Sequence, residues 1–186
     1  CAQWIMADLA IMMAGYVSIP IYPTLNSASM NQILVHSESK AIIIGKLDNF
    51  LSQKEGIPDI PRISVGIFGE NEGDLWEDII EKTQPLTEVH EADPNALHTI
   101  IYTSGTTGKP KGVMLTHANL LTNMRQMIKG MEITEKDVFV SWLPAYHDMG
   151  LIIMTMIPFY LAADVHLLPA DLRSVRDWFK TIHATL

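Results

Sequence analysis

A single cysteine, Cys1, is present in 186 residues. That excludes an intrachain disulfide and a cysteine-based zinc cluster, and it fits a reducing compartment such as the cytosol. Positive charge is also scarce: 13 Lys and Arg stand against 21 Asp and Glu, for a net charge of −8. A nucleic-acid-binding surface needs basic patches that this composition does not supply. A small phosphate ligand is not excluded by the same count, because the local field of a loop decides its binding. Charged residues total only 18%, while hydrophobic residues reach 48%. The chain is therefore globular rather than disordered, and long enough for one domain with a real core. Internal repeats and low-complexity segments are missing. So are apolar runs of the ~18 residues that a membrane-spanning helix needs. No transmembrane segment is expected, which leaves room for peripheral membrane contact. The chain does not begin with Met, and its first residues already follow a helical pattern. A piece of a longer protein is expected.

What is present is a regular alternation of strand and helix patterns. Gln3 to Ala14 is apolar on nearly every face and ends at Gly15, which predicts a buried helix with a glycine stop. Strands are expected at Val17–Tyr22, Lys40–Gly45, Arg62–Phe68, Leu97–Thr103, Val138–Leu143 and Val165–Leu168. Helices are expected at Ser27–Ser37, weakly at Leu47–Lys54, at Leu75–Thr83 with Asp74 as cap, and at Asp171–His183. Thr116 caps a further helix with Leu120, Leu121, Met124, Met127, Ile128 and Met131 at three-and-four spacing. Met149–Ala163 is apolar, contains Pro158, and reads as one buried helix. Such alternation implies an α/β fold, a mostly parallel sheet with helices on both faces. Ligands on such sheets bind beyond the carboxyl ends of strands. The segments after Thr103 and after Leu143 both leave strand ends, so one shared rim is expected for them.

Residues 102–112 read YTSGTTGKPKG. Three glycines (Gly105, Gly108, Gly112) let the backbone curl and approach a ligand closely. Successive N–H groups in such a curl make an anion-binding nest. Thr103, Ser104, Thr106 and Thr107 add neutral donors, and Lys109 and Lys111 add positive charge on either side of Pro110. This is a loop suited to phosphate. It is not a Walker A loop, because two residues rather than four separate Gly105 from Gly108, and proline follows Lys109. A plain polar turn between strands is the alternative, and the placement of both lysines argues against it.

This stretch resembles the phosphate-loop signature of the adenylate-forming (AMP-binding) superfamily, which includes acyl-CoA synthetases, fatty acyl-AMP ligases, luciferases and peptide-synthetase adenylation domains. The resemblance extends over essentially the whole chain. Cys1 to Thr24, CAQWIMADLAIMMAGYVSIPIYPT, looks like the early helix and strand of long-chain acyl-CoA synthetases. Ser141 to Ile152, SWLPAYHDMGLI, looks like the family's acid-pocket motif in a version closer to fatty acyl-AMP ligases. The resemblance implies that residues 1–186 are part of the large N-terminal AMP-binding domain, whose C-terminal part and the small C-terminal domain are absent. It also implies two half-reactions: a carboxylate attacks MgATP to give acyl-adenylate and pyrophosphate, then a thiol of CoA or an acyl carrier takes the acyl group. The partners are then a fatty or other carboxylic acid, ATP, Mg2+ and coenzyme A. Preorganised donors should carry most of the phosphate chemistry. On this reading Thr103, Ser104, Gly105, Thr106, Thr107, Gly108, Lys109 and Lys111 bind ATP phosphate, with Lys111 catalytic and Thr106 a magnesium ligand. Magnesium itself is held mainly by substrate phosphates plus one or two protein oxygens.

The second constellation runs from Trp142 to Gly150 and includes Tyr146, His147 and Asp148. His147 next to Asp148 suggests a dyad, but neighbours in sequence rarely point the same way, and no GxSxG elbow accompanies them. His36, His90, His98, His117, His166 and His183 show no metal-ligand spacing. A structural role is the default for His147, and Asp148 reads equally well as a helix N-cap. The family resemblance assigns His147, Tyr146 and Trp142 to the acyl-substrate pocket. Three functions follow: a long-chain fatty-acid–CoA ligase, a fatty acyl-AMP ligase delivering to a carrier-protein thiol, and a non-catalytic nucleotide- or acyl-binding module. The isolated piece is expected to be inactive, because the family's later motifs do not occur in it.

Overall fold

The computed structural model describes residues 2–47, 49–103, 110–171 and 175–185. It divides into two compact units, one of residues 2–92 and 98–114, the other of residues 93–97 and 115–186. The first unit opens with α1 (Ala2–Met13) and α2 (Ser27–His36). A parallel sheet of β1 (Ile42–Ile44), β2 (Arg62–Ser64) and β3 (Asp74–Leu75) follows, with the short helix α3 (Phe50–Gln53) between β1 and β2. Ile42 lies opposite Arg62, and Ile63 opposite Asp74. Met30 and Leu34 of α2 pack with Ile44, Phe50 and Ile57 to form this unit's core. After α4 (Trp76–Lys82) comes the longest strand, β4 (Leu97–Thr103), hydrogen-bonded to β5 (Lys111–Thr116).

In the other unit, Thr116 caps α5 (His117–Met131), and the Asn119 side chain returns the bond to the cap backbone. Then come β6 (Phe139–Ser141), α6 (Asp148–Leu151), a π-helical turn Ile152–Met156, α7 (Ile157–Leu161), β7 (Val165–Leu167) and α8 (Val175–Thr185). β6 and β7 are parallel, with Phe139 opposite Val165. Met124, Phe139 and Ile157 centre the core here. Parallel pairing between strands separated by helices is the α/β architecture that the alternation implies.

Several expectations are corrected. Val17–Tyr22 is not a strand; it makes a single parallel bridge, Ser18 to Thr99. Pro20 and Pro23 lack the N–H a ladder needs, so pairing stops there. Arg62–Phe68 is a strand only to Ser64. Beyond it, Gly66–Phe68 turns into a 3-10 helix whose first amide donates to the Glu77 carboxylate at 3.0 Å. Asp74 does not cap α4; it pairs in β3, and Leu75 occupies the cap position without a side-chain bond. α1 is not buried all round: it buries Ala7 and Asp8, while Met6 is 49% exposed. On α5, Leu120 and Met124 are buried, but Met131 is exposed at the helix end. Met149–Ala163 is not one α-helix. Pro158 would clash with the carbonyl four residues back in a regular helix, and the preceding turn widens, with Ile157 N–H donating to the Ile152 carbonyl, five back.

Candidate functional site

β4 is covered on both faces until its last residue. His98, Thr99, Ile101 and Tyr102 are buried, and Thr103 emerges exposed. Two observations fix the strand from below. Ser18 donates its backbone N–H to the His98 carbonyl and accepts from Ile100 N–H, each at 3.0 Å. The Thr99 hydroxyl also donates to the Ser18 carbonyl at 2.9 Å. Lys111 is the exposed first residue of the neighbouring strand β5. An exposed hydroxyl and an exposed ammonium thus stand at the two strand ends that flank one connection. Ser104, Gly105, Thr106, Thr107, Gly108 and Lys109 lie outside the described residues. Close to this strand, Asp8 is a buried carboxyl on a mostly apolar helix. Burial holds its pKa above the ordinary carboxylate value, partly offset by a hydrogen bond with the Ser18 side chain. Its Oδ1 finds no hydrogen-bond partner among the described residues. Nothing in the periodicity marks Asp8 as special except that it is the only charged residue of α1.

The Trp142–Gly150 segment belongs to the other unit. It leaves β6 at Ser141, whose side chain accepts from Leu143 N–H at 3.0 Å. A tight turn closes with His147 N–H donating to the Pro144 carbonyl at 3.1 Å. Gly150 is required here, since a Cβ at that position would run into the Pro144 carbonyl. Trp142 and Tyr146 are half-buried; His147 and Asp148 are exposed. Asp148 is not the N-cap. His147 holds that position, in extended conformation, and Asp148 begins α6 with its carboxylate accepting from Met149 N–H at 2.7 Å. The two side chains do meet, His147 Nδ1 to Asp148 Oδ1 at 2.5 Å, which the general rule for sequence neighbours did not anticipate. An acid in the first turn also suits the positive end of a helix. The π turn follows directly, and Thr155 donates its hydroxyl to the Gly150 carbonyl at 2.8 Å. A cavity of about 510 Å³ lies elsewhere in this unit, lined in part by Lys136, Phe139, Met154 and Ile182; Trp142, Tyr146 and His147 do not line it.

Against known proteins, the model of the AMP-binding enzyme family matches residues 1–185. The chain belongs to this family. Among curated relatives, mouse mitochondrial malonate–CoA ligase ACSF3 is 29% identical over 171 residues, covering 90% of this chain and 28% of that protein. The medium-chain-fatty-acid–[acyl-carrier-protein] ligase TtuA of Teredinibacter turnerae is 50% identical over 70 residues, 38% of this chain and 11% of that one. Peroxisomal long chain acyl-CoA synthetase 6 of Arabidopsis thaliana is 31% identical over 160 residues, 78% and 23% respectively. ATP-bound MatB from Rhodopseudomonas palustris superposes with a TM-score of 0.77 at 20% identity, over 97% of this chain and 36% of that one. The matched stretches cover less than a third of the length of each of these three curated proteins. Among the described residues no helix is long and apolar enough to cross a membrane, and no group of three His, Cys, Asp or Glu could hold a metal ion.

Proposed function

We propose that this chain is part of the large N-terminal domain of a ligase that activates a fatty acid. The acid's carboxylate attacks the α-phosphate of ATP, forming acyl-AMP and releasing pyrophosphate; the CoA thiol then takes the acyl group and AMP leaves. The observation that carries this reading is the pair of exposed side chains, Thr103 and Lys111, at the ends of two hydrogen-bonded strands flanking residues 104–109. Thr103 donates its hydroxyl to a phosphate oxygen, and Lys111 supplies charge to the departing pyrophosphate. Ser104, Gly105, Thr106, Thr107, Gly108 and Lys109 complete the phosphate contacts in this proposal. A magnesium ion carried on the nucleotide needs only one or two protein oxygens, and the hydroxyl-rich donor set fits that demand, with Thr106 assigned to it. Such an ion screens phosphate charge. His147, Tyr146 and Trp142 form the acid side: two half-buried aromatics offer apolar walls, and the exposed imidazole meets the carboxylate end.

A second reading, a fatty acyl-AMP ligase delivering to a carrier-protein thiol, is favoured by one observation: the 50% identity over 70 residues to an acyl-carrier-protein ligase. The full-length protein decides between them. Acid-dependent exchange of pyrophosphate into ATP tests adenylation, and a panel of fatty acids sets the preferred chain length. Transfer of the acyl group to CoA upholds the first reading, and transfer only to a phosphopantetheinylated carrier protein upholds the second. Nucleotide binding without exchange for any acid would leave a non-catalytic module and overturn both.

A further inference from the structure

Tyr102 is the penultimate residue of β4 and is only 5% exposed. Its hydroxyl lies 2.7 Å from His36 Nδ1, across 66 residues of sequence. The two rings meet edge to face, with centroids 5.8 Å apart and planes at 88°. The hydroxyl acts as donor or acceptor according to the imidazole tautomer. Burial pushes the Tyr102 hydroxyl pKa upward, so it stays a neutral phenol. On its other side the ring faces β5. A Cβ built on Gly112 would stand 3.3 Å from Tyr102 Cζ and 2.7 Å from Ile100 Cγ2. Glycine at position 112 thus lets the second strand lie against the Ile100 side chain first and the Tyr102 ring beside it.

His36 ends α2, and α2 is itself locked into the unit's core by Met30 and Leu34, with Ile33 also buried. The helix that carries the imidazole is therefore a fixed reference, with His36 itself exposed at its last position. A hydrogen bond from such a reference to a side chain one residue short of a strand end restricts where that end lies. The spacing of phosphate-facing groups matters because displacements of about 1 Å cost catalytic rate steeply.

We propose that His36, Tyr102 and Gly112 form a clamp that sets the separation of the β4 and β5 ends, and that His36 and Tyr102 are positioning residues for the phosphate contacts of Thr103 and Lys111. The part that concerns phosphate rests on the ligase reading above; the clamp itself does not.

The test uses the full-length protein with Tyr102→Phe, His36→Leu, His36→Asn and the double variant Tyr102→Phe/His36→Leu. Phenylalanine keeps the ring on Gly112 and removes only the hydroxyl. Asparagine places a polar atom near the position of Nδ1. Two readouts are taken beside the melting temperature: KM for ATP and for the acid in pyrophosphate exchange, and tryptic cleavage after Lys111, since the Lys109–Pro110 bond resists trypsin. One lost hydrogen bond predicts a rise of about two- to tenfold in KM for ATP and in the rate of cleavage after Lys111. KM for the acid and cleavage at other sites should not move. The double variant should lose no more than either single variant, because both remove the same bond, and His36→Asn should recover most of the loss. Selective cleavage in the variants of a protein that shows no exchange with any acid would keep the clamp and discard the ligase reading. Unchanged cleavage after Lys111, or cleavage rising equally at every site with a lowered melting temperature, would overturn the clamp.

Discussion

Lys111 is solvent-exposed at the first position of β5, so its ammonium contributes little to folding and is available to a developing anion. Lys111→Ala should leave the melting temperature within the scatter typical of surface substitutions. Adenylation should slow by roughly ten- to a hundredfold, the worth of one charge-assisted contact of about 1.5–3 kcal/mol. Pyrophosphate exchange at the wild-type rate would remove Lys111 from the mechanism. Asp8 is the opposite case, a carboxyl whose burial favours its neutral form. Its folded pKa lies above the unfolded value, so the folded state holds the extra proton. Stability is then lost as pH rises from near 3.8 through the raised folded value, and stays lost above it. Asp8→Asn, neutral at every pH, should melt higher than wild type at neutral pH, and the difference should vanish toward pH 3. A difference that is constant across this range would mean that the charge of Asp8 is not what costs stability.

At the scale of elements, the strand most legible from sequence was β4. Leu97–Thr103 is apolar or β-branched nearly throughout, and the structure extends it over the predicted span, covering both faces as far as Tyr102. The stop of α1 at Gly15, which has φ +78°, and the capping of α5 by Thr116 were also readable, because each depends on residues within one turn. What could not be read depended on partners distant in sequence. Whether Arg62–Phe68 stays extended is decided by Glu77, which takes the Gly66 amide. Whether Asp74 caps a helix or joins a sheet is decided by Ile63 across the ladder. The His36–Tyr102 bond spans 66 residues, and no local pattern announces it. The turn Pro144–Gly150 makes the same point from the other direction. Its glycine looked like a motif letter, yet its role is steric: the Pro144 carbonyl occupies the place of a Cβ. Gly150→Ala should therefore cost on the order of 1–3 kcal/mol, the usual penalty of overpacking, with the denaturant midpoint lowered and the slope unchanged. An unchanged midpoint would show that the turn opens freely.

At the scale of the whole molecule, the residues assigned to phosphate and those assigned to the acid belong to different compact units. Thr103 and Lys111 lie in one, Trp142, Tyr146 and His147 in the other. The two sets of residues are tested separately by kinetics. Lys111→Ala should act on the ATP side and His147→Ala on the acid side. The sequence left His147 open to a plain core role, and the structure argues against that role: its side chain is 49% exposed, and that of Asp148 61% exposed. Truncating an exposed imidazole removes little packing, so His147→Ala should shift stability by no more than about 0.5 kcal/mol. If the imidazole meets the carboxylate end of the acid, the same substitution should raise KM for the fatty acid by roughly tenfold, the worth of one hydrogen bond to a charged group. KM for ATP should stay at its wild-type value. Because folding and acid use are predicted to move independently, a lowered melting temperature with an unchanged fatty-acid constant would withdraw His147 from the acid site, while leaving the phosphate assignment of Thr103 and Lys111 intact.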